Sequence, residues 1–115
     1  MVRTVMLGVG VAVAIVGMAL AHSRSSLTVP ADGATVRAVE TIEMRFDAPM
    51  RVTGVRLLRM DDEIAIRRET GMEPATEFRA VPAADLAPGA YEVEWRGLSD
   101  DGHVMQGSFG FTVGE

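Results

Sequence analysis

The 115-residue chain has no cysteine and no lysine, and it has only two histidines. Without cysteine there can be no disulfide, no thiolate metal site and no lipid anchor through a lipobox. A metal would have to be held by His, Asp, Glu, Met or a chain terminus. All 11 basic residues are arginine; they are outnumbered by 16 acids and form no cluster. Such a chain lacks the electrostatic footprint of a nucleic-acid or anionic-membrane binder. Also missing are a Ser-His-Asp set, a pair of carboxylates at acid–base spacing and a Gly-rich phosphate loop. Nothing here points to an enzyme. Helical periodicity is absent after the first 21 residues.

What is present begins with an export signal. Arg3 is followed by the apolar run "VMLGVGVAVAIVGMALA", 17 residues that end in Ala19-Leu20-Ala21. A single positive charge, an apolar stretch and a small-x-small ending form a signal peptide. The run is also shorter than the roughly 20 residues needed to span a bilayer. Residues 1–21 are therefore expected to be removed after Ala21, in the periplasm. The mature chain, 22–115, is then 94 residues long and carries a net charge of −6, since the leader takes one arginine and no acid. That length suits one small domain, expected to be monomeric.

Its pattern is alternation. "TIEMRF" puts Ile42, Met44 and Phe46 on one face. "AYEVEWRG" puts Tyr91, Val93 and Trp95 on one face, opposite Glu92, Glu94 and Arg96. "SFGFTV" aligns Phe109, Phe111 and Val113. A period of two marks half-buried strands. Further strands are expected at 24–29, 52–60, 63–69 and 76–81. Turn signals separate the segments: Pro30-Ala31-Asp32-Gly33, Ala48-Pro49, Asp61-Asp62, Gly71 with Pro74, Pro88-Gly89 and Asp101-Gly102. About seven short strands predict an all-β, two-sheet sandwich with Trp95 as its largest core side chain.

The two histidines carry the chemistry. Cleavage after Ala21 makes His22 the first residue, so its α-amine and Nδ1 can close a six-membered chelate ring on one ion. The amine's ordinary pKa, near 8, makes it easy to deprotonate under a metal. His103 follows a turn in "LSDDGHVMQGSF", and the glycine between Asp101 and His103 lets both side chains converge. Alone, a histidine beside a turn is more often solvated than a ligand, and an aspartate there more often caps backbone amides. Together, His22, His103 and Asp101 offer three nitrogens and one oxygen. Cu(II) prefers such tetragonal N/O sets, whereas Zn(II) would take the same atoms tetrahedrally; on chemistry alone copper is ahead of zinc.

These residues resemble the CopC family of periplasmic copper-binding proteins, over nearly the whole mature chain. A histidine follows the leader, and "PADG" begins eight positions later. "MRFDAPM" (44–50) is similar to the family's strand ending in Phe. "LAPGAYEVEWRGLSDDGHVMQGSFGFTV" (86–113) is similar to its closing segment, with the histidine of Ser-x-Asp-x-His eight positions beyond the tryptophan. The resemblance implies an Ig-like Greek-key β-sandwich and one Cu(II) per chain on His22, Asp101 and His103. It also implies a membrane copper transporter of the CopD type, or a cuproprotein, as the receiver of the ion. Three departures stand out. Ala48 occupies the position where some members have a Glu that holds the N-terminal amine, so that contact is absent or comes from elsewhere, such as Asp47. Val104 replaces a proline that often follows the site histidine. Met44, Met50, Met60, Met72 and Met105 are scattered, and no Cu(I) site is expected from them.

The expected function is that of a Cu(II) carrier or buffer in copper resistance or uptake. One alternative is an interaction sandwich with incidental histidines, which would bind no metal tightly. The other is a terminal-His copper oxidase-type enzyme. Against it, the chain is short for an extended substrate face, and Asp101 would fill a position that O₂ chemistry needs open.

Overall fold

The computed structural model describes residues 27–115, in which every regular element is a strand. In chain order these are β1 (Leu27–Val29), β2 (Ala34–Val36), β3 (Ile42–Arg59), β4 (Asp62–Ile64), β5 (Ile66–Arg68), β6 (Ala75–Pro82), β7 (Gly89–Ser99) and β8 (Val104–Val113). Residues 1–21, expected from the sequence to be a signal peptide, and His22 lie outside the described residues.

The long strand β3 organises both layers. Residues 42–50 pair antiparallel with β6, and 43–45 pair with β1 on the other side. Residues 50–59 pair instead with β7, and 57–59 with β4. One layer is therefore β1-β3-β6-β5, and the other is β4-β3-β7-β8-β2. The two inner faces meet in one core: Ile42, Met44 and Phe46 from the start of β3, Phe78 and Ala80 from β6, Tyr91, Val93 and Trp95 from β7, and Phe109, Phe111 and Val113 from β8. Trp95 is only 4% exposed and meets Phe46 edge-on at 5.2 Å. Tyr91 stacks on Phe111, and its hydroxyl donates to the carbonyl of Ala87 four residues upstream. That contact has the form of the tyrosine corner of Greek-key sandwiches.

The expected all-β sandwich is present, with eight strands among the described residues rather than about seven. Four boundaries differ from expectation. Ala48-Pro49 is not a turn between strands but a corner within β3, where the register shifts between Arg45 and Met50. Proline cannot donate to a ladder, and a bulge is where a strand tolerates it. The segment 63–69 is two strands: β4 pairs with β3 and β5 with β6, so the chain changes layer at Ala65. β8 starts at Val104 rather than 108. β2 was not anticipated; it lies parallel to β8, with Ala34 opposite Phe111. Asp32 ties this corner down by accepting a hydrogen bond from the Gly110 amide at 2.9 Å.

Glycine permits a close approach at Gly97, two residues before the end of β7. A Cβ there would lie 2.6 Å from the Arg51 carbonyl oxygen and 3.2 Å from the Met50 sulfur. The carbonyl belongs to the paired strand and cannot yield without moving β3. Gly97→Ala is therefore expected to destabilise the fold by about 1–3 kcal/mol, the usual range for overpacking. Denaturant unfolding followed through Trp95 emission measures it; a change within about 0.5 kcal/mol, typical of a neutral surface substitution, would refute the account.

Candidate metal centre

β7 and β8 are joined by a tight hairpin whose last paired residues are Leu98 and Val104. The Gly102 amide donates to the Ser99 carbonyl at 2.9 Å, closing a turn over Asp100 and Asp101. Gly102 has φ +87°, in the left-handed region, and the Ser99 amide donates to the His103 carbonyl at 2.9 Å. This is a turn followed by a glycine bulge, a common way to close a short hairpin. It requires the glycine that the sequence supplies between Asp101 and His103.

The bulge brings the two side chains together, as the Asp-x-His spacing predicts. His103 Nδ1 and Asp101 Oδ1 are 2.9 Å apart, and both residues are exposed, at 75% and 69% of the side chain. The Ser99 hydroxyl donates to the same Asp101 oxygen, and Ser99 Oγ accepts from the His103 amide at 3.1 Å. These contacts hold the Asp101 carboxyl down, from an ordinary 3.8 to about 2, with the Ser99 hydroxyl the larger cause and His103 next. Asp101 is thus an anion over the whole working pH range. The pair also has the spacing of metal ligands. Two donor atoms at about 2 Å from one ion and at right angles to each other are about 2.8 Å apart. An ion held by both atoms would displace the contact that Nδ1 and Oδ1 now make.

Among the described residues, no three His, Asp or Glu side chains converge on a common point. The pair needs donors from elsewhere in the chain. Its surroundings bear on where they come from. Met50 pairs with Ser99, so the corner of β3 that contains Asp47, Ala48 and Pro49 is at the same end of the sandwich as the hairpin. β1 runs antiparallel to β3 with Leu27 opposite Arg45 and Val29 opposite Glu43, so the chain enters β1 from the side of residues 46–50. Asp47 is exposed on that corner.

The methionines do not join this group in one place. Met60 is 87% exposed beyond Arg59, which pairs with Tyr91 at the far end of β7. Met72 is half exposed, and its carbonyl accepts from Arg51, whose strand partner is Leu98 near the hairpin. Met44 and Met50 are core. Ser99 is the residue whose role sequence reasoning missed. The Ser-x-Asp-x-His motif contained it, but spacing alone does not reveal that its hydroxyl touches both partners.

The CopC domain family matches residues 26–114. The chain is 31% identical to Copper resistance protein C of Xanthomonas campestris pv. juglandis, with 83% of this chain and 82% of that one covered. It superposes on the crystal structure of CopC from Methylosinus trichosporium OB3b with a TM-score of 0.68 and 26% identity, covering 81% of this chain and 94% of that one. It superposes on PcoC, a methionine-rich copper resistance protein from Escherichia coli, with a TM-score of 0.66 and 28% identity, covering 81% and 99%.

Proposed function

The chain belongs to the CopC domain family, and from that premise we propose that it is a periplasmic Cu(II) carrier or buffer. As a family member it is a copper-binding protein of the copper-resistance type. In this reading the leader is removed after Ala21 and one Cu(II) is held by the His22 amine and imidazole, Asp101 and His103. The ion then passes to a membrane transporter of the CopD type or to a cuproprotein.

One observation carries the reading: an aspartate oxygen and an imidazole nitrogen 2.9 Å apart on an exposed hairpin that contributes no third donor. Such a half-site fits an ion completed by a donor from elsewhere in the chain. The direction of β1 supports His22 as that donor. Leu27 is five positions beyond His22, a reach of about 17 Å in extended chain. The same number separates Arg45, opposite Leu27, from Met50, opposite Ser99. An exposed site filled by protein ligands suits capture and release better than turnover. Protons compete for the imidazoles and the amine, so a fall in pH releases the ion.

Trp95 provides the test. It is the only tryptophan and lies four residues before Ser99 on β7, about 13 Å along the strand. Titrating the protein that starts at His22 with Cu(II) is expected to quench its emission in proportion, with the end point at one ion per chain. Emission that stays constant while copper binds tightly would move the site away from this hairpin. Absence of tight binding would favour the interaction-sandwich reading.

A further inference from the structure

We propose that Ser99 is a positioning residue for the metal centre: its hydroxyl sets Asp101 and His103 in ligand geometry before any ion arrives. This rests on the copper reading above and extends it to a residue that would not touch the metal.

The argument starts from exposure. Asp101 and His103 lie on a surface hairpin with no core to hold them, and exposed side chains rotate freely unless something stops them. Ser99 is where the hairpin leaves the sheet. It is half-buried, paired with Met50, and fixed by backbone bonds to Gly102 and His103. From that anchored point its Oγ does two things at once. It donates to Asp101 Oδ1, and it accepts from the backbone amide of His103. One bond stops rotation of the carboxylate and the other fixes the backbone that carries the imidazole. The carboxylate then holds the ring through Nδ1 at 2.9 Å. Asp101 Oδ1 thus receives two donors, and the ring's orientation follows from the serine. Groups that orient metal ligands commonly alter affinity by one to two decades when removed.

A serine that merely closes the turn would affect stability and nothing else, so the test needs other readouts. Ser99→Ala removes the hydroxyl. Ser99→Thr keeps it, and Ser99→Val matches threonine in shape without it; a β-branched side chain is acceptable at the end of a strand. Two measurements are made on each otherwise intact protein. The first, without metal and above pH 8, reads the His103 ring tautomer by ¹⁵N NMR. The second reads Cu(II) affinity by chelator competition, together with the copper EPR spectrum.

Native protein and Ser99→Thr are expected to hold His103 with the proton on Nδ1. Ala and Val are expected to give a mixture of tautomers, to bind Cu(II) about 10-fold more weakly and to show an altered copper hyperfine splitting, at unchanged stoichiometry. Native tautomer, affinity and spectrum in both Ala and Val would overturn the proposal, as would loss of all three in Thr. If even the native protein bound no copper, the copper reading would fall, and the metal-free tautomer measurement would still decide whether Ser99 sets the pair.

Discussion

A protein carrying one extra residue ahead of His22 is expected to bind Cu(II) at least about 100-fold more weakly than the protein that begins at His22, equivalent to about 2.8 kcal/mol. The reason is chemical rather than structural. A free α-amine has an ordinary pKa near 8 and yields its proton to a metal readily. The extension turns that nitrogen into an amide and opens the six-membered chelate ring, so the histidine is left as a single-point donor. The fold should be untouched, because the described sandwich begins at Leu27 and its described core residues run from Ile42 to Val113. Competition against a chelator of known affinity measures the difference, and mass spectrometry of the exported protein establishes where the chain starts. Equal affinities for the two proteins would remove the amine from the site.

His103→Ala is expected to lower Cu(II) affinity by more than 10-fold, and Asp101→Asn by less. In the proposed site His103 would supply a neutral nitrogen that water replaces poorly. Asp101 would supply an oxygen that water can partly replace, and asparagine still offers an oxygen to Ser99 and His103. The second substitution should therefore alter the copper spectrum more than the affinity. The pH dependence separates the two roles. The carboxyl of Asp101, lowered to about 2 by Ser99 and His103, favours its bonded folded arrangement fully above its ordinary pKa; that advantage shrinks as pH falls below the ordinary value and is gone once pH has passed about 2. Copper release on acidification should thus begin well above that pH, as protons claim the amine and the imidazoles. It should persist in Asp101→Asn. An unchanged affinity and spectrum in His103→Ala would refute the site and bring the interaction-sandwich reading forward.

The contrast between these residues also describes what could be read in advance. The Asp101-Gly102 turn and the convergence of Asp101 with His103 were legible because both are local. A left-handed glycine between two polar residues bends the chain whatever surrounds it. Ser99 was visible in the motif, yet its function was not, because two hydrogen bonds to one hydroxyl depend on side-chain directions that spacing does not encode. The family resemblance put Ala48 and Asp47 near the site, and β3 shows how they get there, by carrying them to the end where Met50 meets Ser99.

The sequence by itself determined the all-β class and most of the core. Ile42, Met44, Phe46, Tyr91, Val93, Trp95, Phe109, Phe111 and Val113 are buried as their alternation requires, since a strand turns successive side chains to opposite faces. Tertiary structure alone decided how those strands combine. Proline at position 49 reads locally as a stop, but β3 runs through it because β6 pairs before the corner and β7 after it. The segment 63–69 reads as one strand but is divided between two layers, and three residues of β2 become a strand only through β8. Which face a residue takes is a property of its neighbours in the chain. Which strand it pairs with is settled by backbone groups far away in sequence, each of which must find a partner once it is taken from water.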